Sequence, residues 1–215
     1  MYRAKCVIFL IAIAMLFSCS AAGGGGGGTG TAITLYSEPA LDGYVRALAG
    51  STYDGSFAGA SVSIGDDASG NVIRCVVSFD MSGLPAGAQI DTATLRMYQN
   101  ATATGSSYPE PGGLGSILVT NYAYSLSTTW ADLFNSCTTG TDIAIGPISS
   151  SFSPNTWHEL DVTTSAYDEV NSYHNGRLQF LVFHHIQSNG GVADSDGWVM
   201  GDSPTHRPEL VIKLK

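Results

Sequence analysis

Two acidic stretches carry the residues best suited to a cation. GDDASGN (residues 65–71) offers Asp66 and Asp67, and ADSDG (residues 193–197) offers Asp194 and Asp196. Calcium takes about six to eight oxygens from carboxylates and carbonyls, so these four residues are candidate ligands of a structural Ca²⁺. Neither stretch has the terminal glutamate of an EF-hand, and solvated acidic loops are the alternative. The five histidines are less promising. His184 and His185 close the run LQFLVFHH, and neighbouring strand residues point to opposite faces, so they do not share a metal. His158, His174 and His206 are scattered, with no serine nucleophile in a Gly-x-Ser-x-Gly context to use them. Glu159, Asp161, Asp194, Asp196 and Asp202 are the acids a glycoside hydrolase would draw on as a pair across a cleft. Their loop-like or solvent-facing settings favour no catalytic pairing.

Aromatic rings are the usual platforms for sugars, because the apolar face of a sugar stacks on a flat ring while polar groups fix its hydroxyls. Tyr53, Phe57, Tyr98, Tyr108, Tyr122 and Tyr124 are candidates, with Tyr98 on the outward side of its strand. Arg96 and Arg46 could meet the carboxylate of a uronate. The charge balance opposes this. Two of the nine basic residues lie in residues 1–18, which leaves seven against eighteen acids, a net −11 for the remainder. That sign disfavours polyanions at low salt and excludes nucleic acid, whose phosphates need a basic surface.

The cysteines set the compartment. Cys75 lies in IRCVVSFD, where Cys75, Val77 and Phe79 alternate onto one core-facing side, and Cys137 lies in the loop-like FNSCTTG. A Cys75–Cys137 disulfide and two separate thiols both remain open, and two cysteines do not make a zinc site. At the amino end, Arg3 and Lys5 precede twelve apolar residues, 6–17. That run is too short to span a bilayer, which takes about 20 residues, and fits the apolar core of a secretory signal. LFSC (residues 16–19) resembles the bacterial lipobox, with Phe17 bulkier than the residue usual there. The resemblance implies that Cys19 is acylated and becomes the first mature residue, anchoring the protein to a membrane through several acyl chains. Simple cleavage near Ala22 is the alternative. The six glycines that follow are a flexible spacer. Residues 21–31 would reach roughly 18 Å on average.

The elements that must position the candidate residues are short and alternating. Expected strands cover 32–36, 43–48, 61–65, 72–80, 92–99, 116–124, 142–146, 156–162, 177–184, 197–201 and 208–213, separated by turn clusters such as GDDASGN, GLPAG, YPEPGGLG and SNGG. TATLRMYQ is the clearest, with Ala93, Leu95 and Met97 on one side and Thr94, Arg96 and Tyr98 on the other. One short helix is expected over 165–173, with Tyr167, Val170 and Tyr173 at helical spacing. The chain therefore divides into a lipoprotein signal peptide (1–18), a lipidated cysteine with a Gly-rich linker (19–31) and one β domain (32–215). The pattern reads as all-β, an antiparallel β-sandwich or barrel with one short helix.

SFDMSGLPAGAQIDTATLRMY (residues 78–98) resembles the signature of the disaggregatase-related (DNRLRE) β-sandwich domains, which overlap with a family of carbohydrate-binding modules. DGYVR (42–46), SIGDD with Arg74, LSTTW (126–130), WHELDVTTSAYDEV (157–170) and HRPELVIKL (206–214) resemble further family segments in order. The resemblance spans about residues 32–215 and implies a jelly roll in secreted or cell-surface carbohydrate-active proteins, with polysaccharide binding, alginate among others. It also implies structural roles for Trp130, Trp157 and Trp198. Physically, Asp80 and Ser82 are suited to cap a turn that Pro85 and Gly87 shape, and Asp161 or Thr163 to cap the helix.

The expected function is a non-catalytic, lipid-anchored extracytoplasmic module for polysaccharide. Its partners would be polysaccharide or a cell-surface protein, with membrane contact through the anchor alone. A structural or interaction module of a surface assembly or adhesin is the first alternative, and a polysaccharide-degrading enzyme the second. Ser20, where aspartate would retain a lipoprotein at the inner membrane, is compatible with the outer membrane or cell surface.

Overall fold

A computed structural model of the chain describes residues 30–105, 113–136, 144–171, 176–186, 188 and 193–215. Cys19, the glycine tract, Tyr108, Cys137 and His174 lie outside the described residues. Twelve strands and two helices follow one another: β1 Ala32–Tyr36, β2 Gly43–Leu48, β3 Thr52–Ser56, β4 Ser61–Asp66, β5 Val72–Asp80, β6 Ile90–Thr104, β7 Ile117–Asn121, α1 Trp130–Asn135, β8 Ala144–Ser149, β9 Thr156–Asp161, α2 Thr163–Asn171, β10 Arg177–His184, β11 Asp194–Val199 and β12 Glu209–Leu214. The fold is all-β, and every strand pair is antiparallel. Among the described residues no helix is long and apolar enough to cross a membrane.

The strands form one curled sheet in the order β1-β12-β6-β11-β4-β5-β10-β7-β8, with β9 added to β6 and the β2–β3 hairpin added to β5. Among the described residues β6 is the longest strand. One of its edges carries β12 (from Ile90 to Arg96) and then β11 (from Gln99 to Thr104), while β9 pairs along the other. The curl lets the inner faces of β6 and β12 share a core with those of β5, β7 and β10. Leu95, Met97, Leu210 and Ile212 are buried in one cluster with Cys75, Val77, Phe79, Phe180 and Val182. Alternation explains this. Every second residue of TATLRMY turns inward, so one side of β6 is apolar and the other is free for polar or functional groups.

β10 differs, because RLQFLVFH is buried along nearly its whole length. Its second face, with Val76 of β5 and Val45 of β2, is covered by Leu133 and Phe134 of α1 together with Leu41 and Tyr124. Arg74 is wholly buried in this layer. Its Nη1 donates to the Phe134 carbonyl, and its guanidinium lies 4.0 Å from the Phe134 ring centre.

Several sequence expectations are corrected. Among the described residues there are two helices, not one. α1 is capped by Thr129, whose Oγ1 accepts from the Asp132 amide at 3.1 Å. α2 begins two residues earlier than expected, and its buried side is Ser165, Ala166 and Glu169, whereas Tyr167 is exposed. β3 is an additional strand, zipped to β2 from Tyr44↔Ser56 to Leu48↔Thr52. β7 stops at Asn121, short of Tyr122 and Tyr124. β11 begins at Asp194, inside what the acidic composition marked as a loop. The caps come out as expected. Asp80 Oδ1 accepts from the Ser82 amide at 2.9 Å, and Asp161 Oδ1 from the Thr163 amide at 2.8 Å.

Candidate functional site

The outer side of β1, β12, β6 and β9 is built by register. Tyr36 pairs with Glu209, Glu209 with Arg96, and Arg96 with Glu159, so these four lie in one row across four strands. Two residues along β6, Tyr98 pairs with Trp157. Arg96 therefore stands between two carboxylates. Its Nη1 donates to Glu209 Oε2 at 2.5 Å and its Nε to Glu159 Oε1 at 2.9 Å. Its guanidinium also lies 4.7 Å from the Trp157 ring centre. Ion pairs at the surface contribute little stability, about 0–1 kcal/mol each. They do fix where the guanidinium sits.

Three rings close the row. Tyr98 meets Trp157 edge-on, 5.4 Å between centres at 75°. His206 lies flat against Tyr98 at 4.0 Å and 17°, and 5.9 Å from Trp157. His206 reaches this position through a left-handed backbone, φ 58°. A non-glycine residue there is uncommon and points to a local constraint. The turn before it is held by Ser203 and Thr205, which exchange hydrogen bonds through the Ser203 hydroxyl. His206 is exposed, and Tyr98, Trp157 and Arg96 are half-buried, so the cluster stays open to solvent.

Beside the rings lies a small polar pocket of about 330 Å³, walled by Tyr36, Pro204, His206, Arg207 and Glu209. Arg207 lies 5.6 Å from the Tyr36 ring centre, and its Nη2 donates to the Ser37 carbonyl. Ring faces, guanidinium donors and carboxylate acceptors thus alternate over one surface, the combination that holds a polyhydroxylated ligand.

A larger cleft of about 590 Å³ opens elsewhere, between residues 38–41 and 124–127 and Arg177. Its rim is closed by the Arg177–Glu38 ion pair at 2.9 Å. Under it, Asp42 Oδ1 accepts from the Ser78 amide at 2.9 Å. Burial pushes the Asp42 acid up to about 7, against the opposing pull of Ser37, Ser78 and Arg207.

Of the residues marked from sequence, Tyr98 and Arg96 come together here. Tyr124 does not. It is buried, its hydroxyl donates to the Leu41 carbonyl at 2.9 Å, and its ring stacks on Phe57, so it is a packing residue and not an open platform. Tyr122 is half-buried behind the end of β7, and burial raises its phenol. Tyr53 and Phe57 pack on Phe134 and Trp130. Arg46 is held by Asp54 at 2.6 Å. Tyr108 lies outside the described residues.

The four aspartates do not form one group. Asp67 sits in a turn, accepting from the Ser69 and Asn71 amides. Asp66 and Asp194 face each other across β4 and β11, with the Asp194 amide donating to Asp66 Oδ1. Asp196 faces His184 Nε2 at 3.3 Å, and both side chains are sealed from solvent. Among the described residues no three of His, Cys, Asp or Glu are placed to hold a metal ion. Cys75 is a buried free thiol 3.5 Å from the Met200 sulfur, and Cys137 lies outside the described residues.

Trp157 and His206 are the site residues the sequence reading missed. A signal for Trp157 was present. In TWHELD it shares its side of the strand with Glu159 and Asp161, and two carboxylates on one side mark that side as outward. His206 had no such signal, because its place depends on a turn that sequence periodicity does not describe. Trp198, by contrast, is fully buried. Neither a scan against protein-family models nor a search of curated proteins finds a match for this chain.

Proposed function

We propose that this chain is a non-catalytic, lipid-anchored extracytoplasmic module that binds polysaccharide on the outer side of β1, β12, β6 and β9. The carrying observation is the cluster of Tyr98, Trp157 and His206, open to solvent and bordered by Arg96, Glu209 and Arg207. Sugars need a flat apolar surface and directed polar partners at once, and this surface offers both. The anchor rests on Cys19 behind its apolar run.

A glycan array probed with the detergent-solubilised protein tests the reading. Binding to a polysaccharide that falls at least tenfold in Trp157→Ala and Tyr98→Ala, with circular dichroism unchanged, supports it. Absence of any glycan signal from the folded wild type overturns it, as does binding that both variants retain in full. Metabolic labelling with a radioactive fatty acid, lost in Cys19→Ala, tests the anchor separately.

A further inference from the structure

The charges around the aromatic cluster also say which polysaccharide. The inference that follows rests on the polysaccharide-binding reading of that surface. Arg96 is already met by two carboxylates, Glu159 and Glu209. Arg207 donates to the Ser37 carbonyl. Asp161 lies on the same side of β9 beyond Glu159, and Lys213 lies four residues from Glu209 on β12, about 13 Å away at strand rise. A uronate lying on these rings would find the nearest guanidinium occupied and two carboxylates beside it. An uncharged sugar would meet no such opposition, and its hydroxyls could donate to Glu209 and accept from Arg207.

The register also gives a direction. Trp157 stands on β9, Tyr98 on β6, His206 leads into β12, and Tyr36 stands on β1. Neighbouring strands are about 4.8 Å apart, so the line from Trp157 to Tyr36 crosses roughly 14 Å of sheet, more than one sugar ring. The polar pocket of Glu209 and Arg207 lies between the two ends. We infer that the ligand is an uncharged polysaccharide lying across the strands, one sugar on Tyr98, Trp157 and His206 and another on Tyr36, with hydroxyls in the pocket between.

Isothermal titration with length-matched neutral oligosaccharides (cello-, xylo- and laminari-series) and polyuronates (alginate and polygalacturonate series) tests this, at low and physiological salt. At least one neutral series should bind tenfold or more tighter than either polyuronate at low salt. Glu209→Gln, which removes one of the carboxylates on Arg96, should narrow that ratio several-fold. Tyr36→Ala should remove the affinity gained on lengthening the neutral ligand while leaving the shortest bound ligand unchanged. Polyuronate binding as tight as neutral, still abolished by Trp157→Ala, would overturn the charge inference and leave the site standing. A full length gain in Tyr36→Ala would overturn the crossing direction. No binding in either series would remove the underlying reading itself.

Discussion

The imidazole of His206 lies flat on the phenol ring of Tyr98, 4.0 Å away, and reaches it from a backbone conformation that suits glycine better than histidine. The ring contact and the backbone oppose each other energetically. Stacking of this kind contributes about 0.5–1.5 kcal/mol, and a left-handed residue with a Cβ costs roughly 1–2 kcal/mol.

His206→Gly should therefore leave stability within about 1 kcal/mol of wild type. His206→Ala loses the ring and keeps the strain, so it should be the less stable variant by about 1 kcal/mol. Both should weaken glycan binding roughly tenfold. Urea denaturation and titration calorimetry on the same samples check this. A glycine variant with unchanged affinity would assign the ring to packing alone.

Asp42 should make stability fall as pH rises. Unfolded, its acid titrates near the ordinary value of 3.8, and folded, near 7. Below about pH 4 it is neutral in both states. Between about 4 and 7 only the folded state keeps the proton, so unfolding releases it and stability drops, by up to about 4 kcal/mol across the window. Other carboxylates act below that window. The Ser82 hydroxyl and amide hold Asp80 low, and Thr163 does the same for Asp161, so their contributions are lost as pH falls under about 4. Asp42→Asn should flatten the curve between pH 4 and 7 and be more stable than wild type at pH 8. Urea midpoints across that range measure it, and a parallel wild-type and variant profile would contradict it.

Tyr124→Phe should separate packing from binding. Its hydroxyl donates to a buried carbonyl, and removing it should cost about 1–2 kcal/mol. Glycan affinity should not change. Thermal unfolding and the array give the two readouts, and a lost glycan signal in a folded variant would return Tyr124 to the site.

Cys75 should resist alkylation in the native protein. It is enclosed, and burial together with the charge of Asp42 pushes its thiol well above the usual range. Peptide mapping after maleimide treatment should find it modified only in denaturant. Failure to label in denaturant until a reductant is added would instead reveal a disulfide, with Cys137 as its candidate partner.

Much of this architecture was legible because alternation is local. IRCVVSFD and TATLRMYQ declare their inward residues without any knowledge of partners, and β5 and β6 form there. TYDGS showed no alternation, and β3 exists because β2 offers it an edge. ADSDG looked like a solvated loop because aspartate disfavours strands, yet pairing with β4 and β6 outweighs that preference. The site divides in the same way. Tyr98 and Arg96 follow from one strand's periodicity. Their meeting with Glu209, Glu159 and His206 depends on which strands become neighbours, and that is decided by residues far apart in the chain.

The place of β12 between β1 and β6 governs when this molecule can close. A chain made or threaded from its amino end presents AITLY long before ELVIKL emerges, and among the described residues β12 is the only strand that pairs with β1. The first ribbon must wait for the last. Assembly through such distant contacts is slow and leaves an uncharged, β-prone segment uncovered meanwhile. Losing ELVIKL would remove more than one strand. It would strand β1 without a neighbour and take Glu209 away from Arg96, so a shortened chain would emerge adhesive and without the row from Tyr36 to Glu159.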